Sequence, residues 1–229
     1  MHLSHKGRQL AAGAMLVASA GLMAGTTATA ATAADATASA RHLVGHATPT
    51  HTRLDALNNS GVKGHATVTV RGRKVEVSVN GFHLLKNAPH AMHFHYSADS
   101  DHMCPTVRDD KDHDHRLTTS EGAPSYGMVQ SSLTTRGDTS AKSALAVDRF
   151  PTAPHHRVHY DRTFRVSKTL ARAIRHGDAA LVIHGIDYNG NGKYDFAAGK
   201  SDLDPSLPAE ATDPVACGVL HPAKRGPLG

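Results

Sequence analysis

Nowhere does this sequence carry a block of Lys and Arg interleaved with aromatic side chains, the usual footprint of a nucleic-acid binder. It has no tryptophan, and its formal charge of +5 over 229 residues is mild. Removing the first thirty residues takes away Lys6 and Arg8 and no acid, which leaves +3. This argues against a dedicated nucleic-acid partner. Long hydrophobic runs are missing too. The apolar stretch at 10–25 is rich in small residues and falls short of the ~20 strongly apolar residues a membrane span needs. No internal repeat is visible. Cysteine is scarce, with only Cys104 and Cys217.

What is present begins with a leader. Lys6 and Arg8 give a basic start, the apolar run follows, and Ala28-Thr29-Ala30 is an A-x-A cleavage site. Residues 1–30 read as a secretory signal peptide. The expected location is secreted, with no membrane span after cleavage. In an exported chain two cysteines read as a disulfide, with two buried free thiols as the alternative. The bond would close a loop of over ~100 residues, worth up to about 4–5 kcal/mol in the chain-entropy model. Residues 31–56 are rich in Ala and Thr and read as a flexible lead-in. Residues 57–221 read as one domain, and 222–229 as a tail.

Period-two alternation dominates the domain. His65-Ala66-Thr67-Val68-Thr69-Val70 and Lys74-Val75-Glu76-Val77-Ser78-Val79 alternate around Arg71-Gly72-Arg73, which predicts a β-hairpin. Asn80-Gly81 is expected to break its second strand. Further strands are expected at 91–96, 156–166, 179–184 and 215–220, with 133–135 and 144–147 as shorter extended pieces. Residues 167–174 read as a short helix or an irregular connection. Residues 97–124 form a long polar loop, and such loops usually carry function. Many short strands with little helical period predict an all-β Greek-key sandwich or barrel, immunoglobulin-like, with long loops.

Seventeen of the nineteen histidines lie beyond the leader. His93-Phe94-His95 sits on an expected strand. Residues i and i+2 share a strand face, so both imidazoles point the same way. Such a pair suits copper, zinc, iron or nickel. The loop run Asp109-Asp110-Lys111-Asp112-His113-Asp114-His115, taken alone, reads as a solvated charge run.

The stretches HAMHFHY, EGAP, LVIHG and ACGVL, in this order, resemble the copper/zinc superoxide dismutase family across about Gly61 to Leu220. The resemblance implies copper ligation by His93, His95 and His184. It implies a fourth ligand at His113, with His115 as competitor, and a supporting role for His90. It places Cys104 and Cys217 at the family's disulfide positions. It also implies losses. Glu121, Ser125 and Met128 stand where zinc ligands are expected, so zinc is not expected. Pro214 stands where the family has an arginine that guides superoxide, with Arg136, Lys193 and Lys200 as candidate substitutes. The implied partners are superoxide or copper ions. The implied activity is dismutation of superoxide to oxygen and hydrogen peroxide. The alternatives are a non-catalytic copper-binding or copper-buffering protein on the same fold, or a structural domain with a decayed site.

A second motif stands apart. Asp187, Asn189, Asn191 and Asp195, with Gly192, fit the start of a calcium loop. Position 12 is Ala198, which cannot ligate, and Asp202 or Asp204 are the candidate replacements. A turn rich in Gly and Asn is the alternative.

Overall fold

The computed structural model describes residues 47–223. The leader, residues 31–46 of the lead-in and residues 224–229 lie outside the described residues. Nine strands form: β1 (Thr48–Ala56), β2 (Lys63–Arg71), β3 (Lys74–Phe82), β4 (Met92–His95), β5 (Val129–Ser132), β6 (Arg157–Arg165), β7 (Ala180–His184), β8 (Pro214–Val219) and β9 (His221–Pro222). Eight of them lie in the order β5-β4-β7-β8-β1-β2-β3-β6, and β9 pairs with β1. Every pairing is antiparallel. The protein is thus mostly β, one antiparallel sheet curled into a half-barrel.

Alternation explains the strands. Val68, Val70, Val75, Val77 and Val79 are buried, while Thr67, Lys74 and Glu76 between them are exposed. The hairpin turns at Gly72-Arg73, with Arg71 paired to Lys74. Gly81 does not break β3, which continues to Phe82. A side chain there would press on Leu84, so the glycine serves close packing. Part of the expected lead-in is also strand. β1 buries Thr50, Thr52 and Leu54, and its threonines satisfy their hydroxyls on Val68 O and Arg53 O. The domain therefore begins at least at Thr48. Pro222 belongs to β9 rather than to a tail.

Helix is sparse: α1 (Thr119–Tyr126), α2 (Lys168–His176) and the short α3 (Ala209–Thr212). None in the described residues is long and apolar enough to cross a membrane. α1 begins inside the expected loop at 97–124 and runs two residues past its end. Thr118 and Glu121 cap it reciprocally. α2 starts at the Ser167 cap, ends at left-handed Gly177, and buries Leu170, Ala171, Ala173 and Ile174. The extended pieces expected at 133–135 and 144–147 are not strands, and β5 lies just before the first. Cys104 and Cys217 are bonded, with Cα atoms 5.7 Å apart. The bridge fixes the loop after β4 to β8.

Candidate metal centre

β4 and β7 pair so that His93 faces Val182 and His95 faces Ala180. Alternation then divides the strands. Met92, Phe94, Leu181 and Ile183 join the main core, while Ala180 and Val182 join a second small cluster on the other face. His93, His95 and His184 share that second face. Their ring centroids lie 5.0–5.8 Å apart. One ring nitrogen from each comes within 4.8 Å of the others. The three residues are 4 %, 1 % and 2 % exposed, so bulk solvent does not reach them.

Each ring is held from behind by a backbone carbonyl. His93 Nε2 lies 3.0 Å from Ala144 O, His95 Nδ1 2.9 Å from Gly127 O, and His184 Nδ1 2.7 Å from Thr212 O. A carbonyl only accepts, so those nitrogens carry the protons. The other three, His93 Nδ1, His95 Nε2 and His184 Nε2, are then lone pairs, and each is buried without a partner. Three orphaned lone pairs converging on one point fit a metal ion. They would be costly to bury otherwise. Burial pushes all three imidazoles below their ordinary value, to about 3 for His95 and about 4 for His184, and repulsion from the neighbouring rings lowers His93 and His95 further. They stay neutral and ligand-ready at physiological pH.

The walls are specific. Tyr126 from α1 meets the His95 ring at 4.4 Å, and Phe150 meets His93 edge-on at 5.3 Å. Gly127 has φ +85°, and a Cβ there would overlap the backbone of Tyr96 and Ser97. Only glycine lets its carbonyl reach His95. His90 is fully buried behind His184. Its Nδ1 lies 3.0 Å from His184 O and its Nε2 3.2 Å from Leu85 O, and Tyr194 Oη lies 3.2 Å from Nδ1. Burial lowers its pKa as well. His90 supports the backbone of a candidate ligand.

His113 and His115 do not join the three. Their backbone N–H groups donate to the two oxygens of Asp110, at 2.8 and 3.0 Å, and both residues have positive φ. That clamp turns the rings to a solvent-facing groove beside Pro105, Arg116 and Leu117. The expected fourth ligand is therefore not assembled with the others. Thr119 stands nearer, its hydroxyl 3.5 Å from His184 Nδ1 and donating to Thr212 O. Glu121 is occupied as the α1 cap and also accepts from Lys111 N. Its carboxylate lies within 4.8 Å of Asp110 and Asp112, a partly exposed acidic group. Ser125 is buried beside Asp109, and Met128 is exposed.

A cavity of about 30 Å³ opens over His93 and His184. Ala91, Val129, Ala144, Leu145, Val147, Leu203 and Ala211 line it with Thr119 and Thr212. No Lys or Arg does. Pro214 pairs with His184 at a β-bulge, so the guiding position is backbone packing. Arg136 pairs with Asp148 and Lys193 with Asp195 instead. In the other motif, Asp187, Asn189 and Asn191 turn their oxygens onto backbone N–H groups of 191–193. The amides of Asn189 and Asn191 donate to Asp195. Buried Glu210 accepts from Tyr188 N and Asp195 N, which ties down both ends.

Sequence reasoning missed Asp213. It is fully buried, Oδ2 accepts from Tyr188 Oη at 2.9 Å, and Oδ1 has no partner. Burial raises it to about 7, against the pull of Arg116 at 3.6 Å. The pinning carbonyls were also illegible, since any residue type carries one. Compared with known proteins, the chain matches no family model and no curated protein.

Proposed function

We propose that the protein binds one copper ion through His93, His95 and His184, on a scaffold similar to that of the copper/zinc superoxide dismutases. The observation that carries this is the trio of unpartnered, buried ring nitrogens aimed at one another. All-imidazole donors suit copper, zinc, iron and nickel alike, and the motif resemblance selects copper. When bound, copper would supply one-electron redox chemistry. The chain's own part is to hold three neutral imidazoles in fixed tautomers, to exclude bulk water, and to leave a space about the size of one small molecule. The disulfide suits an oxidising compartment, in keeping with export.

The test is copper titration of the metal-free protein beside His184→Ala, followed by superoxide decay. Saturation at one copper per chain in the wild type, and its loss in the variant, is the expected result. Wild type and variant binding equally would sink the assignment. A second reading, copper held rather than turned over, is favoured by the cavity mouth. Its lining is apolar and has no cation to concentrate an anion. Under that reading the loaded protein accelerates superoxide decay no more than free buffer does.

A further inference from the structure

The far end of the hairpin carries a different chemistry. Arg71, Lys74 and Arg165 sit opposite one another on β2, β3 and β6, so three cations form a row across adjacent strands. Strands lie about 4.8 Å apart, so these charges crowd one another. All three side chains are exposed. The turn continues the row. Arg73 donates from Nε to Val166 O and accepts from Val166 N on its carbonyl, which ties the turn to the start of α2. Arg175 of α2 reaches Gly72 O at 3.0 Å. Lys168 and Arg172 are four residues apart, and Arg175 follows Arg172 by three, so they share a helix face; Lys168 and Arg172 are both exposed. None of these seven cations forms an ion pair within the described residues. The nearest acid along β3 is Glu76, two residues on and next to Lys74 on the exposed face, and Asp178 beyond α2 faces His102.

We propose that this basic row and helix face form a docking surface for a linear phosphate polymer. Three features select that partner. Seven cations against one flanking acid, Glu76, hold counterions, and a polyanion gains by releasing them. Five of the seven are arginines, whose planar fork suits phosphate oxygens. The apolar residues of α2 are turned into the core, so no side chain is offered for insertion into a bilayer. Nor does an exposed aromatic ring accompany the cations to stack a base; the nearest, Phe164, is half-buried under Arg162. The surface is separate from the histidine site, so its test is independent of copper.

The experiment is titration of the full chain with long-chain inorganic polyphosphate at several salt concentrations. Binding should weaken steeply with salt, with a log–log slope of roughly −3 to −4 if about five phosphates are neutralised. Combined Arg71→Gln, Lys74→Gln and Arg165→Gln should weaken it at least tenfold. Lys168→Gln with Arg172→Gln, on the solvent face of a helix, should weaken it severalfold without touching the sheet. Lys63→Gln, elsewhere on the same sheet face, should change it less than twofold. Equal binding by wild type and the helix variant, or binding insensitive to salt, overturns the proposal. So does tighter retention on phosphatidylglycerol vesicles than on polyphosphate at the same phosphate concentration.

Discussion

Lowering the pH of the metal-free protein from 7.5 to 5.5 should remove about 4 kcal/mol of its stability. His93, His95 and His184 are buried as neutral rings, and burial keeps each below the ordinary imidazole value of 6.5. In the unfolded chain the same rings titrate near 6.5. The unfolded state therefore binds more protons than the folded state below that pH, and stability falls as pH falls. One unit below 6.5, each ring contributes roughly 1.4 kcal/mol to unfolding, so three give about 4. The loss opens at about pH 6.5 and closes as pH approaches the folded values, about 4 for His184 and about 3 for His95. His90 acts with the same sign, while Asp213, raised to about 7 by burial, acts with the opposite sign and offsets about one proton, so the two roughly cancel. A domain typically has about 5–15 kcal/mol to lose, so the effect is large. Urea denaturation with the disulfide intact, repeated from pH 7.5 to 5, measures it. The slope below pH 5.5 should approach about 4 kcal/mol per pH unit, and His184→Gln should remove about a third of it. A slope worth less than one proton would refute the neutral, converging arrangement.

Other expectations follow from the same geometry. His184→Ala should cost more copper affinity than the roughly 10–100-fold usual for an outer-shell residue, while His113→Ala should change affinity little, both read by competitive chelation. Gly127→Ala should lower stability by more than about 1 kcal/mol and weaken copper binding, because a Cβ overlaps the Tyr96–Ser97 backbone and displaces the carbonyl behind His95; equal melting and affinity would contradict this. Reducing Cys104–Cys217 should cost up to about 4–5 kcal/mol, since it opens a loop of 113 residues, and the unreduced protein unfolded in denaturant should show no alkylatable thiol.

The hairpin was legible because valines alternate with polar residues there and the core needs that face, while β4 and β7 read as short, mostly apolar runs buried along their whole length. β1 was not. Its inward positions include Thr50 and Thr52, polar by type but buried because their hydroxyls find carbonyls. α1 escaped notice because Gly122 and Pro124 weaken its helical signal. The Thr118–Glu121 capping box was the available clue, and it also meant that Glu121 was already engaged. Counting along the chain found His93, His95 and His184, which regular strands hold. It failed to place His113, because Asp110 folds the loop back and registers do not propagate through positive-φ turns.

Along β4 and β7, neighbouring residues answer to different demands. Met92, Phe94, Leu181 and Ile183 hold the fold together, and the residues between them hold the site. Selection can therefore alter one register without disturbing the other. Replacing the three histidines with apolar residues should leave a protein that folds and gains stability, since it buries no orphaned nitrogens. Chemistry on such a sheet can be lost or regained without disturbing the half-barrel that carries it.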